Sequence, residues 1–378
     1  MKITAVKLHV LELPVRMARA LGDLSGPMSQ VDEPLRVKFI REFVDTPPKT
    51  RVTLLRIQTD QGVEGLCTGV DPGMVATLRS DLVGADPQQH GYIYQKLLWA
   101  VRFKHFHING LAPFDNALWD LRAKLAEMPL HRFLGSVKEK VPCYLSAPHY
   151  PTPEESVDEA TSAKERGYLG YKLHAFFGWE KDIEVCRRVR EAVGPDFYLM
   201  QDAAQTYSYP EAVKVGRALE ELKFHWLEEP VRDVDLYNLQ RLAQELDIPI
   251  ATTELLGGDL QAIAQHIYMK AGDIVRTDTN RAGISTVMRI AHLAEAFWLN
   301  VELTSMGACF GLANVHAIQA IPNTSFYEDW DNQLPLMEAL GCRHVMRSEK
   351  GYIRAPEAPG FGLEPDEKLV KKYTVAEY

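Results

Sequence analysis

The feature of this sequence that most restricts its fold is a repeat of short β-strand patterns. Eight such segments recur about every 26 residues, and helical patterns fill most of the intervals between them. They cover residues 143–146, 170–174, 197–202, 225–228, 250–254, 273–278, 300–304 and 325–328. Alternating strands and helices predict parallel strands joined by right-handed crossovers. Eight strands at this spacing favour a (β/α) barrel. A doubly wound sheet is the alternative, although no GxGxxG follows an early strand.

A different pattern precedes the repeat. Residues 3–13 and 51–67 alternate like strands, and a turn at Asp60-Gln61-Gly62 makes the second segment a predicted hairpin. About 35 polar residues with several Gly and Pro separate the two segments, which is typical of a lid or binding loop. Residues 1–130 are therefore predicted to form an α+β module. The Pro- and Lys-rich end, 346–378, is expected to pack back on it.

Composition excludes several classes of protein. With 42 Lys+Arg against 51 Asp+Glu, the net charge is −9, which argues against a nucleic-acid partner. No uncharged apolar stretch of 18 residues is present, so we expect no membrane span. The strand-like start does not resemble a signal peptide, and the five cysteines are dispersed. We therefore expect reduced thiols and a cytoplasmic location.

Acidic residues fall at matching places in the repeat. Asp202, Glu228 and Glu254 each close a strand segment, at intervals of 26 residues. Carboxylates at the C-terminal ends of consecutive barrel strands converge on one point of the catalytic face. They would repel one another unless a cation lay between them, and all-oxygen ligation favours Mg²⁺, or else Mn²⁺. The alternative is that each acid is a helix cap or a solvated loop charge.

A lysine and a histidine end the second strand segment. Lys172 and His174 are two residues apart, so both point into the barrel mouth if Leu173 faces the helices. An ammonium and an imidazole beside a metal suggest enolisation, in which a base removes the proton next to a substrate carboxylate. The alternatives are a surface lysine and a structural histidine.

Together these segments resemble the mandelate racemase / muconate-lactonising subgroup of the enolase superfamily. The resemblance covers almost the whole chain and rests on PFDNALWDL, GYKLH, WLEEP, TTE, RTDTNRAGIS and IPNTSFYEDW. It implies a modified TIM barrel, (β/α)7β, over residues 135–345, with an α+β capping domain built from 1–130 and the tail 346–378. It also implies a homo-oligomer. The metal ligands of the family fall on Asp202, Glu228 and Glu254.

The resemblance also implies roles for other residues. Lys172 would contact the substrate carboxylate and His174 would be the base, in place of the second lysine of a Lys-x-Lys pair. Members with an Asp–His dyad carry the aspartate where Asp278 stands. Their histidine falls on Thr304, counted from two later glycines, so the dyad is broken here.

Two further acids are candidates on the last barrel strands. Glu302 points into the barrel if Thr304 does, which makes it a substitute acid or a partner of the neighbours of Asp278. Glu328 matches the acid that, in relatives, hydrogen-bonds the enolising carboxylate. An ordinary loop acid is the alternative for Glu328.

These parts lead to a predicted reaction. With a base on one face only, dehydration of an acid sugar is favoured: a proton α to a carboxylate is abstracted, the metal stabilises the enediolate, and the β-hydroxyl leaves as water. An epimerase, a cycloisomerase, or a metal-binding barrel without activity are the alternatives. The substrate would be small, anionic and polyhydroxylated. Its candidate contacts are charged residues before the predicted cap helices and the aromatic run 176–179: Arg36, Lys38, Arg41, Glu42, Arg102, Lys104, His105, His107, Phe176, Phe177 and Trp179.

Overall fold

A computed structural model describes residues 1–15, 50–150, 152–304, 307–330 and 333–378. Four of the predicted substrate contacts, Arg36, Lys38, Arg41 and Glu42, lie outside the described residues. Within the described ranges, no helix is both long enough and apolar enough to span a bilayer.

The first part of the chain forms an antiparallel sheet. Its strands are β1 (Ile3–Leu13), β2 (Thr50–Thr59), β3 (Glu64–Thr68) and, from the end of the chain, β13 (Thr374–Glu377). Their order is β13-β1-β2-β3. The hairpin between β2 and β3 turns through Gly62, whose φ of 76° is in the left-handed region that favours glycine.

Four helices follow β3 and pack against this sheet or against one another. They are α1 (Pro72–Leu82), α2 (His90–Lys104), α3 (Ala112–Leu125) and α4 (Leu130–Leu134). Helix α3 packs directly on β3, because a Cβ at Gly65 would lie 2.0 Å from the carbonyl oxygen of Ala117. Asp120 fixes this packing by accepting a hydrogen bond from the backbone N–H of Leu66 at 2.8 Å.

The repeat forms a barrel of parallel strands. The strands are β4 (Val141–Ser146), β5 (Gly170–Leu173), β6 (Tyr198–Asp202), β7 (Trp226–Glu228), β8 (Ile250–Thr252), β9 (Ile274–Thr277), β10 (Asn300–Leu303) and β11 (Tyr327–Asp329). They pair in chain order, and β11 returns to pair with β4. The remaining gap is bridged where the N–H of Val301 donates to the carbonyl of Asn323 at 2.8 Å.

Helices connect successive strands on the outside of the barrel. They are α5 (Pro153–Glu165), α6 (Trp179–Val193), α7 (Tyr209–Glu221), α8 (Leu236–Glu245), α9 (Leu260–Met269), α10 (Gly283–Ala296) and α11 (Leu312–Ala320). The predicted capping box at Thr152 is present, since Thr152 and Glu155 exchange hydrogen bonds. With one helix after each of the first seven strands, the described chain confirms the predicted (β/α)7β barrel with its separate α+β cap.

The tail returns to both parts of the molecule. After α12 (Gln333–Ala339), β12 (Tyr352–Ile353) pairs antiparallel with β4. Helix α13 (Glu367–Tyr373) and β13 then pack on the N-terminal sheet, where both oxygens of Glu367 accept from Arg56 at 2.8 and 2.9 Å. The predicted domain boundaries at 130, 135 and 345 stay predictions.

Candidate active site

The three predicted metal ligands converge at the C-terminal ends of the barrel strands. Asp202 closes β6 and Glu228 closes β7. One carboxylate oxygen from each of Asp202, Glu228 and Glu254 lies within 4.8 Å of the others. Glu228 is completely buried, whereas the side chain of Glu254 is 15% exposed. The cluster is therefore open to the barrel mouth on the side of Glu254.

Glu254 does not belong to a strand, which corrects the prediction that each acid closes one. Strand β8 ends at Thr252, Thr253 adopts a left-handed conformation with φ of 83°, and Glu254 begins a 3₁₀ turn. The carboxylate of Asp233 stabilises this turn, because it accepts hydrogen bonds from the N–H groups of Thr253 and Leu255 at 2.8 and 3.0 Å. The turn directs Glu254 toward the other two acids.

Lys172 lies inside the acid cluster. Its Nζ donates to Asp202 at 3.2 Å and to Glu228 at 3.0 Å, and it lies 3.0 Å from Glu328. Burial alone would lower the pKa of the Lys172 ammonium, but the three carboxylates raise it well above its ordinary value. Lys172 is therefore a fixed positive charge.

Arg276, which the sequence analysis did not select, is a second buried cation of the site. Its Nε lies 2.9 Å from Glu228, and its Nη2 donates to Glu328. Glu228 also accepts from the indole N–H of Trp226 at 2.9 Å. Period-two alternation back from Asp278 was the signal that could have located Arg276.

Glu328, on β11, contacts both buried cations of the site: its carboxylate lies 3.0 Å from Nζ of Lys172 and accepts a hydrogen bond from Arg276. It accepts a hydrogen bond from the hydroxyl of Tyr144 at 2.8 Å. Burial alone would raise the pKa of the Glu328 carboxyl, but Lys172 and Arg276 hold it well below its usual range. Glu328 therefore holds both buried cations in place and adds negative charge beneath the mouth.

His174 follows β5, and contacts of both ring nitrogens fix the orientation of its imidazole. Nδ1 donates to the carbonyl of Ala147 at 2.5 Å, and Nε2 lies 3.1 Å from Oδ2 of Asp202. The ring lies edge-on to Phe176 and Trp330, with centroids 6.0 and 5.9 Å away. The imidazole therefore presents Nε2 at the edge of the acid cluster, with aromatic side chains around it.

Asp278 has a different partner from the histidine that the family dyad would supply. Its carboxylate accepts from the backbone N–H of Arg281 at 2.8 Å and from Nη1 of Arg281 at 2.7 Å. Nη2 of Arg281 lies 3.1 Å from Glu254. Asp278 thus orients a guanidinium rather than an imidazole, and Arg281 is a second residue that the sequence analysis did not select.

Glu302 is not brought together with the other candidates. It is buried inside the barrel as expected, but its carboxylate accepts from the N–H groups of Ser325 and Phe326, at 2.9 and 3.1 Å. These residues precede β11, so Glu302 helps to join β10 to β11 below the mouth. Lys104, another expected substrate contact, pairs with Asp81 on the cap.

The donor set fits a divalent cation. All three predicted ligands are carboxylates, and hard ions such as Mg²⁺ prefer oxygen donors. A further acid, Glu229, is buried beside them, and burial together with Glu254, Asp233 and Asp202 raises the pKa of its carboxyl well above its usual value. The buried acids thus outnumber the compensating lysine and arginines. The three ligands would hold the cation between them.

Metal affinity should depend on pH. In the metal-free protein, burial and the charge of Glu228, opposed by Arg281, raise the pKa of Glu254 to about 7. Because the metal binds the carboxylate and not the acid, the apparent Mg²⁺ affinity should fall by up to about tenfold for each pH unit below 7 and level off above it. Calorimetric titration at pH 5.5, 6.5 and 7.5 measures this, and equal affinities at the three values would contradict it.

Comparisons with known proteins agree with this geometry. Residues 30–135 match the family described as mandelate racemase / muconate lactonizing enzyme, N-terminal domain, and residues 155–369 match enolase C-terminal domain-like. L-Talarate/galactarate dehydratase of Salmonella typhimurium is 37% identical over 224 residues, which span 57% of this chain and 56% of that protein. Arabinonate dehydratase of Saccharolobus solfataricus is 28% identical and covers 85% of this chain and 90% of its own.

Two further similarities extend over essentially the full chain. D-Galactarolactone cycloisomerase of Agrobacterium fabrum is 27% identical over 96% of both chains. The crystal structure of D-glucarate dehydratase from Agrobacterium tumefaciens, complexed with magnesium, has a TM-score of 0.83, 28% identity and full coverage of both chains. The two family matches together account for most of the sequence, and the chain therefore belongs to the enolase superfamily, in the mandelate racemase / muconate lactonizing enzyme group.

Proposed function

We propose that this protein is a Mg²⁺-dependent hydro-lyase that dehydrates an acid sugar. The observation that carries the proposal is the placement of His174, whose Nε2 reaches the edge of the three-carboxylate cluster beside Lys172. An imidazole, an ammonium and a cation site at one point are the parts needed to remove a proton next to a carboxylate. The dehydratases among the relatives and the magnesium in the glucarate dehydratase crystal support it.

His174 would be the base. Because Nδ1 donates to the Ala147 carbonyl, the lone pair of the neutral ring is on Nε2, which faces the cluster. Imidazole is the side chain most often used as a general acid and base, because it can both accept and donate a proton through a ring nitrogen. Phe176 and Trp330 lie beside the imidazole and would shield the site of proton transfer from water.

The substrate carboxylate would bind next to Lys172. A divalent cation held by Asp202, Glu228 and Glu254 would supply positive charge that stabilises the enediolate. Lys172 adds a fixed charge on the same side, and Glu328 keeps its ammonium in position at 3.0 Å. Charge that develops on the substrate oxygens is thereby stabilised by groups that need not move during the reaction.

The same imidazole would complete the reaction. After Nε2 takes the α-proton, the bond from the β-carbon to its hydroxyl breaks, and the leaving oxygen takes the proton from Nε2 as water. The enol that remains tautomerises to a 2-keto-3-deoxy acid. Proton and hydroxyl would leave from the His174 face, so one residue can act as base and then as acid.

A cycloisomerase is the second candidate. It is favoured by the similarity to D-galactarolactone cycloisomerase over 96% of the chain. Such a reaction begins with the same proton transfer but releases no water. An epimerase fits less well, because Thr304 stands where the family dyad would place its histidine, and Asp278 binds the guanidinium of Arg281 instead of an imidazole. The retained cluster, with Lys172 and His174 in contact with it, speaks against an inactive barrel. The expected homo-oligomer stays a prediction.

A substrate screen tests the proposed function. The purified protein with 5–10 equivalents of Mg²⁺ would be incubated with a library of aldonic and aldaric acids, and ketone formation would be followed with semicarbazide. We expect at least one acid to give a 2-keto-3-deoxy product, and chelation with EDTA to stop the reaction. Deuterium uptake at the α-carbon without ketone formation would favour the cycloisomerase, and neither signal with any acid would contradict both candidates.

A further inference from the structure

The side of the site opposite His174 carries a guanidinium. In the strand order of the barrel, β5 and β9 are four strands apart in either direction, so they face each other across the mouth. His174 follows β5, and the loop with Asp278 and Arg281 follows β9. The acid cluster occupies the arc between them, on β6, β7 and the turn after β8.

Each end of this arc contacts a different basic side chain. At one end, Nε2 of His174 lies 3.1 Å from Asp202. At the other end, Nη2 of Arg281 lies 3.1 Å from Glu254. The site is thus bounded by an imidazole, which can exchange a proton, and by a guanidinium, which at physiological pH does not.

Arg281 is held in a fixed orientation but can be reached from the mouth. Asp278 binds both the backbone N–H and Nη1 of Arg281, at 2.8 and 2.7 Å. Among the described residues, three Lys or Arg side chains contact the cluster. Their exposed fractions are 20% for Arg281, 2% for Lys172 and 0% for Arg276. Arg281 is the most accessible of these cations to a molecule entering the barrel.

We propose that Arg281 is a substrate-binding residue that holds an oxygen of the acid sugar on the face opposite His174, and that it restricts proton transfer to the His174 face. This inference rests on the proposed function and adds to it a preference for one configuration at the α-carbon of the substrate. The guanidinium donates hydrogen bonds to a hydroxyl or carboxylate, and no bond is made or broken at Arg281. The favoured substrates are therefore acids with one configuration at the α-carbon.

The test separates substrate binding from metal binding. Wild type, Arg281→Met and Arg281→Lys would be titrated calorimetrically with Mg²⁺ alone, and then, saturated with Mg²⁺, with tartronate. Tartronate is a 2-hydroxy dicarboxylate without a β-hydroxyl, so it cannot be dehydrated. Arg217→Met is the matched control, since Arg217 forms an i,i+3 ion pair with Glu220 at 3.0 Å on the outer helix α7.

We expect Arg281→Met to weaken tartronate binding by about 10- to 100-fold, the usual effect of removing a charge-assisted hydrogen bond, and Arg281→Lys to weaken it less. Well above pH 7, where Glu254 is ionised in both proteins, the Mg²⁺ affinity of Arg281→Met should equal or exceed that of wild type, because Arg281 competes with the cation for Glu254. Arg217→Met should behave as wild type. In D₂O, wild type should label the α-carbon of only one C2 epimer of an acid that it converts.

Other results would overturn the inference. Tartronate binding to Arg281→Met within twofold of wild type, or labelling of both C2 epimers by wild type, contradicts it. Weakened Mg²⁺ affinity of Arg281→Met with unchanged tartronate affinity also contradicts the inference, because it would mean that Arg281 only positions Glu254. If Arg281→Met does not fold, Asp278→Asn is used instead, because it weakens the ion pair that orients the Arg281 guanidinium. Unchanged tartronate affinity in Asp278→Asn would likewise contradict the inference. Failure of Mg²⁺-loaded wild type to bind tartronate would contradict the proposed function itself.

Discussion

Replacement of His174 by alanine should reduce kcat by about 10³-fold or more while the affinity for Mg²⁺ changes little. The imidazole would serve as base and then as acid, and general acid–base help from one group accounts for about 10²- to 10⁴-fold in rate. The cation would be held by the three carboxylates of Asp202, Glu228 and Glu254, none of which is removed in this variant. The measurements are steady-state kinetics on the acid sugar found by the screen and calorimetric titration with Mg²⁺.

A matched control separates the role of this histidine from a general effect on the fold. His292 is exposed on α10, on the outside of the barrel, so His292→Ala should keep wild-type kinetics and thermal stability. Deuterium uptake at the α-carbon, which reports proton abstraction alone, should disappear in His174→Ala. Uptake at the wild-type rate would remove His174 from the proposed mechanism.

Replacement of Glu254 by glutamine should lower Mg²⁺ affinity by about 100-fold or more. The amide keeps the shape of the side chain but removes a negative charge from the predicted ligand set. Removal of a residue that only hydrogen-bonds a metal ligand already lowers metal affinity by about 10- to 100-fold, so loss of a ligand charge should lower it at least as much. Turnover at low Mg²⁺ should fall in parallel. The pH dependence of metal binding should also flatten, because the group whose pKa is raised to about 7 is gone.

Glu221→Gln is the control for this variant. Glu221 is an exposed glutamate at the end of α7, so the same chemical change there should leave metal affinity at the wild-type value. If Glu254→Gln binds Mg²⁺ as tightly as wild type at pH 7.5, Glu254 is not a ligand. The proposed site would then reduce to two carboxylates.

Sequence patterns were sufficient for the barrel and for most of the acid cluster. The period of the repeat fixes where each strand ends, and a residue at the end of a parallel barrel strand must lie at the catalytic face. Asp202 and Glu228 follow from this rule alone. Glu254 required a turn that the pattern does not contain, since the left-handed Thr253 is stabilised by the distant Asp233.

The contacts of single side chains were harder to predict. Glu302 was correctly expected inside the barrel, but the backbone N–H groups of Ser325 and Phe326 that bind it come from a segment distant in sequence. Arg281 lies three residues after Asp278, a spacing at which side chains on one helical turn meet, yet a family dyad directs attention to histidine. Contacts between side chains of different barrel strands depend on how the strands close into the barrel, so no single sequence motif predicts them.

The most direct test of the account is a crystal structure of the protein grown with Mn²⁺, measured near the manganese absorption edge. One anomalous peak is expected at the barrel mouth, about 2.0–2.3 Å from a carboxylate oxygen of each of Asp202, Glu228 and Glu254. A map with no peak there, or a peak bound by other residues while these carboxylates keep only their protein partners, would contradict the proposed metal site.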